Sequence, residues 1–178
     1  MSAFTRPADR EMEARADRRR GWFRRLDLIH DGATFLRRRA FETGLFGVYV
    51  HRIDSPDPGL DLHDHPWPFV SMVLRGGYTE EWCDARDASR HAAIAAKLDE
   101  LDISHGPGRG HERHHGRWSV HRMPLTVAHR ITMAEPGTVT LVLRGRKSRQ
   151  WGFYLPLGFI DQNAYDYSAR RPLQAVRS

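Results

Sequence analysis

The run His63-Asp64-His65-Pro66-Trp67-Pro68-Phe69 narrows the folds open to this chain more than any other stretch. In an extended segment side chains alternate between faces, so positions 63 and 65 project from the same side and their imidazoles can converge on one ion. Two neutral imidazoles held this way make half of a transition-metal site. Downstream, Pro124-Leu125-Thr126-Val127-Ala128-His129 sets another histidine at the start of an apolar run. A small all-β barrel that closes around His63, His65 and His129 satisfies all three positions.

The flanking chain supports strands. Residues 46–53 are rich in β-branched and aromatic side chains, and the Asp54-Ser55-Pro56-Asp57-Pro58-Gly59 segment that follows has turn chemistry. Residues 70–74 form an apolar strand, Gly76-Gly77 turns the chain, and 78–82 return. Further strands are expected over 118–123, 127–133, 138–143 and 151–155. About eight short strands at this spacing predict a jelly roll or barrel across residues 45–155. Residues 84–117 interrupt it, with an Ala-rich segment from Ala85 to Leu101 that reads as a helix or an irregular excursion. After it, 104–117 read as a mobile basic loop, a lid rather than a second metal site, despite histidines at 105, 111, 114 and 115. Residues 1–44 read as a helical arm, being rich in Arg, Ala and Glu. Residues 156–178 read as a tail draped over the outside.

A chain of 178 residues is one domain's worth. Of its formal charge of +6, residues 1–40 supply +5, holding eleven arginines against six acids. Any affinity for nucleic acid therefore belongs to that arm, and a solvated face is the plainer reading of such a charge run. The single cysteine, Cys83, excludes an internal disulfide and predicts a cytoplasmic protein; as a thiol it reads equally as a buried small hydrophobe or a redox group. No run of about 18 apolar residues exists to span a membrane, and the charged N-terminus lacks a secretory h-region.

His63-Asp64-His65-Pro66-Trp67 through Gly76 resembles the first motif of the cupin superfamily, and Pro124 through His129 has the Pro-to-His spacing of the second. The resemblance implies an all-β, cupin-type jelly-roll barrel, a double-stranded β-helix with one divalent metal in its mouth. It also implies that His63, His65 and His129 are the metal ligands. Where many cupins carry a glutamate ligand this chain has Phe69, and Met133 stands where the second motif ends in asparagine. Three neutral imidazoles leave the charge of a divalent ion uncompensated, which favours an anionic or chelating substrate. Asp61, Asp64 or Glu80 could supply the missing oxygen, and Asp61 is the best placed by strand parity.

Three-histidine sites are similar to those of thiol dioxygenases, which use iron(II). That family's Ser-x-His-x-Tyr series is absent from the matching run Thr140-Leu141-Val142-Leu143-Arg144. Arg144 on that strand suits a substrate carboxylate, and Tyr49 and His51, which share one face of the preceding strand, are expected to orient the substrate. Trp67 and Trp151 are expected to pack the barrel ends, and His121 reads either as a neighbour of the metal site or as an external residue. The expectation is a mononuclear non-haem iron oxygenase acting on a small polar or anionic molecule, with zinc, manganese or nickel as other possible ions. The alternatives are a non-catalytic ligand-binding cupin docked through its basic arm, and a metal-independent isomerase with a histidine base. A homodimer is expected.

Overall fold

The computed structural model describes residues 13–20, 22–30, 33–100 and 110–165. Its strands form two antiparallel sheets. The first runs in the order β1 (Glu13–Arg20), β2 (Phe23–His30), β3 (Ala33–Glu42), β4 (Gly47–Ile53), β11 (Thr138–Arg144), β6 (Phe69–Arg75), β9 (Val120–Met123). The second runs β13 (Gly158–Asp161), β12 (Gly152–Leu155), β5 (Leu62–His63), β10 (Val127–Ala134), β7 (Tyr78–Asp84), β8 (His111–His115). Within them the order β4-β11-β6-β9 faces β5-β10-β7-β8, so the chain crosses between sheets at almost every connection. That winding is the cupin-type jelly roll the sequence predicts.

The helical arm expected over residues 1–44 is not helical where it is described. β1, β2 and β3 instead extend the first sheet beyond β4, with Leu36 opposite Ile53, Arg38 opposite His51 and Ala40 opposite Tyr49. Helix propensity is a weak prior, and β4 offers an unpaired row of backbone donors and acceptors that a strand can satisfy. Alternation along β3 shows the outcome: Arg37 and Arg39 are exposed, while Ala40 is buried. Composition favours a helix here, and the period of two along β3 overrides it.

Two further boundaries differ. The Ala-rich segment forms α1 (Ala88–Glu100), but the stretch read as a loop over 104–117 contains β8, which pairs with β7 from Tyr78 opposite His115 to Trp82 opposite His111. Residues 101–109, including His105, lie outside the described residues. The tail is not simply external: β13 pairs with β12, and Tyr165 is buried, stacked on Phe153 at 3.7 Å and donating to Asp61 at 2.8 Å. Residues 166–178 lie outside the described residues.

Apolar packing occurs on both sides of the second sheet. Between the sheets, Ile53, Val73 and Tyr78 form one cluster, and Ala40, Tyr49 and Val142 another, lined by Trp67 and Phe69. On the outer side Ala88 of α1 covers Leu62, Cys83 and Ala128. Because side chains alternate, the neighbours His63 and His129 face inward. Burial, then the nearby Glu81 charge, pushes the Cys83 thiol up to about 12, so it packs as a small hydrophobe and not as a thiolate. Gly76 makes the β6–β7 turn at φ +70°, where a Cβ would meet Thr138 Oγ1 at 2.5 Å, so a side chain there would strain the backbone and displace Thr138.

Candidate metal centre

His63 and His129 are cross-strand partners. β10 pairs with β5 at His129 opposite His63, and β12 flanks β5 with Phe153 opposite His63. His65 lies beyond the end of β5, in the connection to β6, so its convergence with His63 comes from the path of that connection rather than from parity within one strand. Asp64 fixes the path. Its carboxylate accepts hydrogen bonds from Arg149 Nη2, from the Gly152 amide at 3.0 Å and from the Tyr154 hydroxyl at 2.8 Å, and Arg149 Nε also donates to the His65 carbonyl at 3.3 Å. Asp64 therefore holds the loop and does not join the ligand set.

One ring nitrogen from each of His63, His65 and His129 lies within 4.8 Å of the other two. His65 Nε2 and His129 Nε2 are 2.7 Å apart. Aromatic rings enclose the group: Phe69 meets His65 edge-on at 4.9 Å, Trp151 stacks on it at 6.5 Å and 14°, and Phe153 lies 5.6 Å from His63. Phe69, at the sequence position where the cupin resemblance would put a carboxylate ligand, thus lines the group with a phenyl ring. Burial, followed by the charge of His129, drives the pKa of both His63 and His65 well below the ordinary histidine value. Both rings are neutral at neutral pH and carry a lone pair for a cation.

Of the three carboxylates considered from sequence, Glu80 is the one that touches this group, and it does so from behind. Its Oε2 lies 2.8 Å from His129 Nδ1 and its Oε1 lies 2.8 Å from His115 Nε2. Burial pushes the Glu80 carboxyl up, but the hydrogen bonds from His115 and His129 and their charge outweigh it and hold it far below the usual range. An ionised carboxylate only accepts, so Nδ1 of His129 must carry its proton. Nε2 is then bare and faces His63 and His65, the tautomer a metal requires. Asp61, favoured by strand parity, is instead bonded to Tyr165.

The residues expected to orient a substrate divide. Tyr49, Arg144 and Glu42 form a closed network: Tyr49 donates to Glu42 Oε1 at 2.5 Å, and Arg144 donates through Nε to the Tyr49 oxygen at 2.9 Å, through Nη1 to the Gly145 carbonyl and through Nη2 to the Thr43 carbonyl. Arg144 also lies over the Trp67 ring. Each of these hydrogen bonds ties Tyr49 and Arg144 to the protein itself. His51 stays inward-facing and accepts from Arg38 Nε at 2.9 Å. Arg38 and His51 lie close enough to add to the downward push on His65.

Sequence reading missed Arg38, Glu80's role behind His129, and the burial of His115. Arg38 sits between two exposed arginines in a run that looked uniformly solvated, and only β pairing turns it inward. His115 ends a polar strand whose four preceding residues are exposed, so no apolar signal marked it. His121, left undecided, is buried, and burial followed by His115's charge lowers its pKa to about 4.

No protein-family model and no curated protein matches the chain. Among solved structures, KdgF from Halomonas sp. is similar at 15% identity and a TM-score of 0.43, over 67% of this chain and 87% of that one. The iron(II) form of HppE is similar at 15% identity and a TM-score of 0.47, over 79% of this chain; the match spans 66% of HppE's own length. Streptomyces PAC13, solved with uridine, is similar at 6% identity and a TM-score of 0.45, over 74% of this chain and 86% of that one.

Proposed function

We propose that this protein is a mononuclear metal-dependent oxygenase, with iron(II) held by His63, His65 and His129, acting on a small polar or anionic substrate. The observation that carries the reading is the convergence of three imidazole nitrogens on a point, with the tautomer of one set by a buried carboxylate. The donor set fits the ion: imidazole suits iron(II), zinc and nickel, and no thiolate is present to select copper(I) or a cluster. Bound iron(II) supplies Lewis acidity and an electron source for dioxygen.

The chain's own residues do the rest. Glu80 keeps the His129 proton on Nδ1 and the ring in orientation. Phe69, Trp151 and Phe153 exclude water from the sides of the group. Three neutral donors leave the ion's charge uncompensated, and the Arg38 guanidinium adds positive charge from the facing sheet. A carboxylate or phosphoryl group is the natural complement of both, and Arg38 with His51 would orient it.

The test is anaerobic reconstitution with iron(II), then oxygen uptake with a panel of small carboxylates, phosphoryl compounds and thiols. Substrate-dependent uptake that vanishes in His65→Ala is the expected result. Arg38→Gln should raise KM for the anionic substrate by about tenfold or more while leaving iron content unchanged. Oxygen uptake that no compound stimulates would remove the oxygenase reading.

A further inference from the structure

Glu80, His115 and His121 form a second convergent set of donors. All three are buried, and one donor atom from each lies within 4.8 Å of the other two. They come from both sheets at the edge where these close on each other: β7 and β8 carry Glu80 and His115, and β9 carries His121 opposite Ser71 of β6. Glu80 Oε1 and His115 Nε2 are 2.8 Å apart, a separation that two ligands of one ion adopt once the proton between them has left. The His115 and His121 rings are 4.0 Å apart, centroid to centroid.

The second observation is an orphan. His121 meets the Tyr78 hydroxyl through Nε2 at 3.2 Å, but its Nδ1 is buried without a hydrogen-bond partner, on a side chain 7% exposed. Buried polar atoms are rarely left so, and an unmatched one calls for an explanation such as an ion. A cation among these three residues supplies the partner and takes the Glu80 charge as its counter-ion.

We infer that Glu80, His115 and His121 bind a second divalent transition-metal ion, of the zinc, manganese or iron(II) class, next to the three-histidine group. Glu80 faces this set with Oε1 and His129 with Oε2, so one carboxylate links the two centres. Filling either site therefore changes the affinity of the other, and the coupling is reciprocal. The second site stands on its own donors and does not require the first to be filled.

The test counts zinc. The full chain is stripped with a chelator, saturated with zinc(II), desalted and assayed for bound metal. Wild type should hold two equivalents, His121→Ala one, and the double variant His63→Ala/His65→Ala one. A His121→Ala chain that holds as much zinc as wild type overturns the inference, because the metal is then elsewhere. So does a folded His63→Ala/His65→Ala chain that holds none. A single wild-type equivalent that survives in the double variant and is lost in His121→Ala supports the second site and defeats the three-histidine one. Where an alanine variant lacks the wild-type circular dichroism spectrum, the glutamine variant at the same position takes its place.

Discussion

The two sheets present interiors that look alike in composition and differ in how their polar groups are matched. On the first sheet, Tyr49, Glu42 and Arg144 pair donors with acceptors throughout, and Arg144 reaches two backbone carbonyls as well. On the second, His129 turns its bare Nε2 toward His65 Nε2 at 2.7 Å, where a proton on the His65 nitrogen makes a hydrogen bond, and a ring nitrogen of His63 lies within 4.8 Å of both. Burial is similar in both regions. A saturated polar network adds stability and specificity, whereas a cluster of neutral imidazoles has lone pairs that a cation could take up.

The sharpest way to break this contrast is to remove a ligand. His129→Ala should weaken metal binding at the three-histidine group by more than about 100-fold, beyond what loss of an outer partner does; equilibrium dialysis against iron(II) or zinc(II) measures it. If affinity survives, the convergence of the three rings has no bearing on metal binding.

Next in size is a matched pair of single-atom changes. Glu80→Gln replaces an acceptor-only carboxylate with an amide and should cost about 10–100-fold in metal affinity, with about 1–3 kcal/mol of stability lost through the mismatched imidazole. Tyr49→Phe leaves Arg144 Nε and Glu42 Oε1 without their hydroxyl and should lose a similar amount, about 1–3 kcal/mol, with metal affinity unchanged. Denaturant melts and metal titrations on the same samples separate the two; equal effects on binding would erase the distinction between the sheets.

A smaller effect comes from pH. His51, His63, His65 and His121 all have pKa values lowered by burial from 6.5. Below pH 6.5 the unfolded chain therefore binds more protons than the native one, and stability falls as pH drops toward their folded values. Glu80 is depressed in the carboxylate range, so its contribution is intact above 4.5 and fades only below it. Denaturation midpoints should decline between pH 7 and 5, above the range in which Glu80 takes up a proton, and His63→Ala/His65→Ala should flatten that slope. Smallest of all, Arg52→Ala removes an ion pair to Asp54 at 2.9 Å from a half-exposed surface position and should change stability by about 0–1 kcal/mol, with no effect on either centre.

Much of the first centre was legible before any coordinates. The spacing of His63 and His65, the later His129 and the Gly76-Gly77 turn all appear where the chain needed them, because short-range patterns carry their own chemistry. The carboxylate was harder. Strand parity pointed to Asp61, but β5 is two residues long and Asp61 is bonded to Tyr165, some hundred residues downstream. Glu80 gained its place from the β7–β10 register, which sets Glu80 opposite Ile131 and so diagonal to His129.

Local order alone thus marked most strands from β4 onward, the turn at Gly76-Gly77 and three histidines that the structure brings together, since alternation and turn chemistry act over a few residues. Long-range pairing settled the rest. It turned an arginine-rich arm into strands, aimed Arg38 inward between two solvated neighbours, spent Tyr49 and Arg144 on each other, and brought His115 and His121 from opposite sheets to one carboxylate. Those outcomes depend on which distant backbone edge a segment meets, and no short stretch of residues encodes its partner.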